Sequence, residues 1–259
     1  MSIYKKYIPR SFDWIGIGQM KCGSTVLWSY LMEHPDIFSG PGWSGLVNEK
    51  EPNFFNTVEE QINNGYFGQA KYSTWFKEIN KAPANQKIGE FTVHYMDDLG
   101  TLERIKEHSP NAKIFAILRN PTDRAYSQFN WLYNTRGGTV WDADLTEILS
   151  GKEGTDLRFV YKSLYANQIE NVYKVFPRSQ VHFIKYEDFK ADNKKELHKL
   201  FDHLEVDKDK YAYHWREDLL RPYIEPISKQ NRTKILHFYL DDICRVEELL
   251  DWDCSDWKV

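Results

Sequence analysis

Two hydrophobic patterns alternate along this chain: short runs of consecutive apolar residues, and longer stretches in which apolar residues return every three or four positions. The first kind predicts buried strands and the second predicts helices. Trp14-Ile-Gly-Ile17 is a short β-favouring run that leads through Gly18-Gln-Met-Lys-Cys-Gly-Ser-Thr25 into an apolar helical stretch, Val26 to Met32, ended by His34-Pro35. Lys87 to Thr92 reads as the next strand, followed by a helix from Leu99 to His108 that stops ahead of Pro110. Lys113-Ile-Phe-Ala-Ile-Leu118 is almost continuously apolar, as a parallel strand buried on both faces must be. Asn120-Pro121 supplies a cap and a first-turn proline for a helix to about Tyr133.

Beyond it, the polar, glycine-bearing segment from Asn134 to Arg158 reads as a surface excursion with at most a short helix near Leu145 to Leu149, and residues 134–160 are expected to cover a site. A helix from about Ser163 to Phe176 is halted by Pro177. Val181 to Lys185 is a further strand with Tyr186-Glu-Asp-Phe189 at its exit, and a charged helix follows from about Lys194 to Leu204. After an irregular stretch through Pro226, a last helix capped by Ser228 (228–251) lines up Ile235, Phe238, Tyr239, Ile243, Val246, Leu249 and Leu250 as an apolar stripe.

Strands alternating with helices imply an α/β fold of the three-layer, P-loop type: a central, mainly parallel sheet of about five strands covered on both faces. A single domain over residues 1–259 is expected, with ligands at the carboxyl ends of the strands. The 41% hydrophobic and 15% aromatic content supplies a core, which excludes a disordered chain. A net charge of −4 argues against nucleic-acid binding through bulk positive field, so any anion needs a local site. Cys22, Cys244 and Cys254 are too few and too scattered for a disulfide framework or a zinc knuckle and are read as reduced thiols. No apolar run can span a bilayer and no secretory h-region opens the chain, so a soluble, cytoplasmic protein is expected.

The chemistry concentrates at two strand ends. Gly18-x-x-x-x-Gly23-Ser24-Thr25 follows a strand and opens a helix, as a phosphate-binding loop does, but Ser24 stands where a Walker A loop has its lysine. The lysine lies inside the loop instead, at Lys21. The triphosphate clamp is therefore missing, while the backbone amides of Cys22 to Thr25, the helix dipole and the Ser24 and Thr25 hydroxyls can still hold one phosphate. The second motif, Arg119-Asn-Pro-Thr-Asp-Arg-Ala-Tyr-Ser127, directly follows the strand Ile114 to Leu118 and offers Arg119 and Ser127 to a second anion.

With these motifs the sequence resembles the sulfotransferases that use 3′-phosphoadenosine 5′-phosphosulfate (PAPS). Lys21-Cys-Gly-Ser-Thr25 is similar to their 5′-phosphosulfate loop and Leu118-Arg-Asn-Pro-x-x-Arg-Ala-x-Ser127 to their 3′-phosphate motif. Lys50-Glu-Pro-Asn-Phe-Phe55, Gly89-Glu-x-Thr92, Tyr186-Glu-Asp-Phe189 and the end of the chain near Trp257 extend the similarity, which lies nearer the heparan-sulfate and bacterial branch than the cytosolic small-molecule branch.

The resemblance implies transfer of a sulfuryl group to a hydroxyl or amine of a small-molecule or carbohydrate acceptor, leaving the adenosine bisphosphate PAP. Lys21 takes the charge of the departing bridge oxygen, so no metal is needed. It further implies Gly23, Ser24 and Thr25 on the 5′-phosphate, Arg119 and Ser127 on the 3′-phosphate, and Glu51 as the base.

Packing against Phe54 and Phe55 is expected to make Glu51 a stronger base. His94 is the rival, since on a strand Glu90, Thr92 and His94 would share one side. Phe91 stands where several heparan-type members place a lysine, and Lys50 is the candidate to replace that cation. Arg216 and Arg221 lie where family members close a basic loop over the nucleotide. Cys22 is read as a small loop residue, Arg124 as a brace of its helix, and Trp131, Tyr133, Trp141, Tyr161 and Tyr165 as packing or lid aromatics that a sugar acceptor could use. A P-loop nucleotide kinase, or a family member that binds nucleotide or glycan without catalysis, are the alternatives.

Overall fold

Five strands carry the fold in the computed structural model, which describes residues 3–39, 50–56, 77–135, 158–211 and 227–259. They are β1 (Trp14–Gly18), β2 (Ile37–Phe38), β3 (Lys87–Phe91), β4 (Lys113–Leu118) and β5 (Val181–Lys185). The sheet order is β2-β3-β1-β4-β5 and every neighbouring pair is parallel. β1 thus lies at the centre with Trp14 opposite Gly89 of β3 and Lys113 of β4, and all five of its residues are buried. That position accounts for its glycines: a Cβ on Gly16 would lie 2.6 Å from the Phe91 ring and 2.8 Å from that of Phe115.

The described helices are α1 (Ile3–Tyr7), α2 (Ser24–Met32), α3 (Leu99–His108), α4 (Pro121–Thr135), α5 (Arg158–Tyr161), α6 (Tyr165–Val175), α7 (Tyr186–Ala191), α8 (Asn193–Leu204) and α9 (Lys229–Leu250). Four of them start at side-chain caps, which satisfy amides that the helix itself leaves without acceptors. Asp98 accepts from Thr101 N, Asn120 from Thr122 N, Asp192 from Lys195 N and Ser228 from Asn231 N.

The residues group into two compact units. The first comprises Met1–Gln19, Gly23–Leu118 and Asn171–Leu219 and holds the whole sheet. Its core joins Trp14, Trp28, Phe91 and Phe115 to the strands, and a second aromatic cluster gathers Tyr4, Phe12, Phe54, Phe55 and His108. His108 sits neutral in that cluster, pushed down to about 4 by burial, with Nε2 against Ile8 O at 2.8 Å.

The second unit comprises Met20–Cys22, Arg119–Glu170 and Leu220–Val259. In it, α9 buries Ile235, Tyr239, Ile243 and Val246, and its Asp242 carboxylate accepts from Tyr165 N and Ala166 N to cap α6. Trp257 is fully buried against Tyr165 and Trp252.

Several boundaries differ from the sequence reading. The expected helix from Ser163 is two helices, α5 and α6, because Ser163 and Leu164 donate back to Val160 O and Tyr161 O and close the first before the second begins. The Tyr186 exit is itself a helix. On α9, Phe238 is exposed rather than part of the buried stripe, and it meets the equally exposed Tyr161. No described helix is long and apolar enough to cross a membrane.

Candidate active site

The loop between β1 and α2 is built on left-handed backbone. Lys21 (φ 67°) and Gly23 (φ 84°) both occupy that region, which turns the chain sharply from the strand into the helix. At Gly23 a side chain is also sterically excluded, since a Cβ would stand 2.7 Å from the ring of Tyr186, the first residue of α7. The base of the loop is tied to the sheet through Gln19, whose N donates to Ile117 O (2.9 Å) and whose Nε2 donates to Asp97 Oδ1 (2.7 Å). α2 then opens at Ser24, so its first-turn amides have no acceptor within the helix and form a natural seat for an anion.

Ser24 is buried and Thr25 exposed. In the second unit, Lys21 Nζ lies over the Trp131 ring at 5.7 Å, and the buried Cys22 thiol sits 3.7 Å from Tyr165 OH. All three cysteines are free.

The structure brings a second motif to this turn. Lys50 Nζ donates to Ser24 Oγ at 2.6 Å, pairs with Glu51 Oε1 at 3.1 Å and rests over the Phe91 ring at 5.0 Å. Its side chain is only 10% exposed, so this ammonium is largely stripped of water where it meets the serine. Glu51 is 35% exposed and departs from expectation in its surroundings. Phe54 and Phe55 are fully buried in the aromatic cluster, and the charged group beside Glu51 is the Lys50 ammonium.

The acid that burial does perturb is Glu90. It is fully enclosed, accepts from Thr92 Oγ1 (2.9 Å) and Tyr95 OH, and is pushed up to about 8 by desolvation, with the Glu51 charge adding to the rise. His94 does not share its face. β3 ends at Phe91, and His94 has near-helical backbone (φ −106°, ψ −1°) that starts the turn Tyr95–Asp97, with Nδ1 3.5 Å from Asp97 Oδ2.

In the second unit, Arg119 is half-buried just ahead of the Asn120 cap, and Ser127 is half-buried two turns into α4. Tyr165 OH donates to Arg119 O at 2.9 Å and so fixes the backbone at the arginine. Arg124 is fully buried and donates to Gln128 one turn along, as a brace of the helix does. Of the aromatic set, Tyr165 is core, Trp131 is half-buried and Tyr161 is exposed. Arg216, Arg221, Trp141, the Tyr133 side chain and most of the 134–160 excursion lie outside the described residues. Among the described residues, no group of three or more His, Cys, Asp or Glu side chains is arranged to hold a metal ion.

Residues 15–210 match the family model described as Sulfotransferase family. The chain belongs to the sulfotransferase family. That membership sets aside the nucleotide-kinase alternative. This sulfotransferase-family chain is 26% identical over 198 residues to bifunctional heparan sulfate N-deacetylase/N-sulfotransferase 3 of Homo sapiens, an alignment covering 73% of this chain and 21% of that protein. It is 32% identical over 119 residues to the membrane-associated sulfotransferase kil1 of Dictyostelium discoideum, covering 46% and 22% respectively. It therefore spans about a fifth of the length of these curated relatives. Among solved structures, a sulfotransferase from Alicyclobacillus acidocaldarius superposes with a TM-score of 0.74 at 26% identity, over 96% of this chain and 100% of that one.

Within this sulfotransferase fold, sequence reasoning missed two things. One is the direct Lys50 to Ser24 contact, which joins residues 26 apart along the chain. The other is the buried acid at Glu90. A signal for it existed, because a glutamate inside a strand enclosed on both faces must be either paired or protonated.

Proposed function

We propose that this chain transfers a sulfuryl group from PAPS to a hydroxyl or amine of an acceptor, releasing PAP. What supports the reading is the hydrogen bond from Lys50 to Ser24, which sets the Lys50-Glu-Pro-Asn-Phe-Phe55 segment against the phosphate-binding turn, with Glu51 on the same ammonium. A cation bonded to the start of α2 and a candidate base thus meet at one place in the first unit. The turn also fits a phosphate, since glycine at position 23 keeps its backbone open where any side chain would strike Tyr186.

In this mechanism Glu51 takes the acceptor proton as the acceptor atom attacks sulfur in line. The bond from sulfur to the bridging oxygen breaks, and its electron pair stays with the 5′-phosphate. Lys21 neutralises the charge that grows on that oxygen, which is the largest electrostatic demand of the step. Gly23, Ser24 and Thr25 hold the 5′-phosphate through amides and hydroxyls, and Lys50 supplies a second positive charge beside Ser24. Arg119 and Ser127 hold the 3′-phosphate. Cys22 contributes its amide. Arg216 and Arg221 belong to the same proposal as nucleotide contacts. His94, off the β3 face and beside Asp97, is the weaker candidate base.

A carbohydrate is the first acceptor class to try, since the human relative's name specifies heparan sulfate. Three free thiols accord with a reducing, cytoplasmic location, which fractionation would test.

The deciding experiment is Lys21→Ala, assayed with labelled donor against an acceptor panel. Transfer should fall by at least about a hundredfold, while thermal unfolding and PAP binding by calorimetry show a folded protein. Near-normal transfer by this variant would refute the leaving-group role. A wild-type chain that binds PAP but transfers to no acceptor would instead be a binding member without catalysis.

A further inference from the structure

The segment that carries Glu51 holds an unusual shape. Glu51 (φ 72°) and Asn53 (φ 56°) are both left-handed, a region that non-glycine residues avoid unless their surroundings impose it. The imposing contacts come from the end of β3. Alternate amides of the segment dock in sequence: Glu51 N donates to Phe91 O (3.0 Å), Asn53 N to Thr92 Oγ1 (3.2 Å) and Phe55 N to Tyr95 OH (3.2 Å). Asn53 Nδ2 closes the turn on Glu51 O at 2.9 Å.

Two of these three acceptors are side-chain hydroxyls, which could rotate away. Both are aimed by one group, because Thr92 Oγ1 and Tyr95 OH each donate to the Glu90 carboxyl. Glu90 is fixed in its turn by β3, paired opposite Ile15 of the central strand and closed off from water. The path from the sheet centre to Glu51 is therefore continuous.

We propose that Glu90 is a positioning residue for sulfuryl transfer: by orienting Thr92 and Tyr95 it holds the left-handed turn that presents the Glu51 carboxylate. The inference rests on Glu51 being the base, as proposed above. Burial also keeps Glu90 largely protonated near neutral pH, so it places no second full negative charge beside Glu51.

Four variants test this in the intact chain: Glu51→Gln, Glu90→Ala, Glu90→Gln and Tyr95→Phe. Glu90→Ala should lower kcat roughly ten- to a hundredfold, the scale of a misplaced catalytic group, while the KM for PAPS and the affinity for PAP stay within about twofold. Glu90→Gln, which can still bond both hydroxyls, should restore most of kcat. Tyr95→Phe keeps the ring and removes one hydroxyl, so it carries the test if Glu90→Ala does not fold, and it should lower kcat in the same way.

In a Glu51→Gln background, Glu90→Ala or Tyr95→Phe should add little further loss, since both act through the same carboxylate. If Glu51→Gln abolishes transfer while Tyr95→Phe and every folded Glu90 variant keep full kcat, the positioning role is wrong and the base assignment stands. If losses at positions 90 and 51 multiply independently, the positioning role is also wrong. If Glu51→Gln itself keeps full transfer, the base assignment has failed and takes the positioning role with it.

Discussion

Replacing Glu90 by glutamine should change how stability depends on pH, and the structure sets the size of the change. In the folded chain the Glu90 carboxyl is pushed up to about 8 from 4.5, chiefly by burial. The folded state therefore binds a proton between those limits that the unfolded state does not, and stability falls as pH rises through them, by up to about 1.4 kcal/mol per pH unit. The contribution is complete below pH 4.5 and gone above pH 8.

His34, His108, His182 and His203 work in the opposite sense, because burial lowers each of them and they cost stability only as pH drops below 6.5. These imidazoles are present in both proteins, so their contribution cancels when the wild type and Glu90→Gln are compared at the same pH. Between pH 6.5 and 8 the wild type should lose roughly 1.6 kcal/mol relative to Glu90→Gln, which cannot ionise. Urea midpoints measured at half-unit intervals across the window, with the m-value checked for constancy, read this directly. Parallel slopes for the two proteins would show that Glu90 is already ionised in the fold and would undo the reasoning.

Other substitutions probe the site and its supports. Gly23→Ala should cost roughly 1–3 kcal/mol and weaken PAP binding, because the new Cβ meets the Tyr186 ring on left-handed backbone; thermal unfolding and calorimetry check both. Lys50→Met should reduce donor affinity, and raising the salt concentration should affect it less than the wild type, since the variant lacks the ammonium beside Ser24. Asp242→Ala leaves the amides of Tyr165 and Ala166 without their carboxylate, which should cost roughly 1–3 kcal/mol and speed hydrogen exchange at the start of α6.

The strand Lys113 to Leu118 was legible because every residue but its first is buried. Lys113 to Leu118 and Val181 to Lys185 form strands with the predicted ends, and Leu99 to His108 is a helix with the predicted ends, bounded by the Asp98 cap. β2 has two residues and α1 five, too few for a period to register. The site was legible where local chain order sets it: a lysine between two glycines after a buried strand needs no tertiary partner to be noticed.

Glu90 and His94 show the opposite case. Alternation placed both on one face, but the strand stops at Phe91 and the backbone then coils, so one side chain is sealed inside and the other lies beside Asp97. Partial burial against Phe54 and Phe55 was expected for Glu51 from adjacency alone, while its ion pair with Lys50 comes from a left-handed backbone that the sequence pattern does not announce.

The backbone at position 51 also sets a trap for anyone evolving this chain toward heat resistance. Glycine would relax that residue's torsion at once, and a screen that scored only melting temperature would reward it. The winners of such a selection would be sturdier proteins that had discarded the carboxylate proposed to accept the proton, so thermal robustness and turnover compete at a single codon.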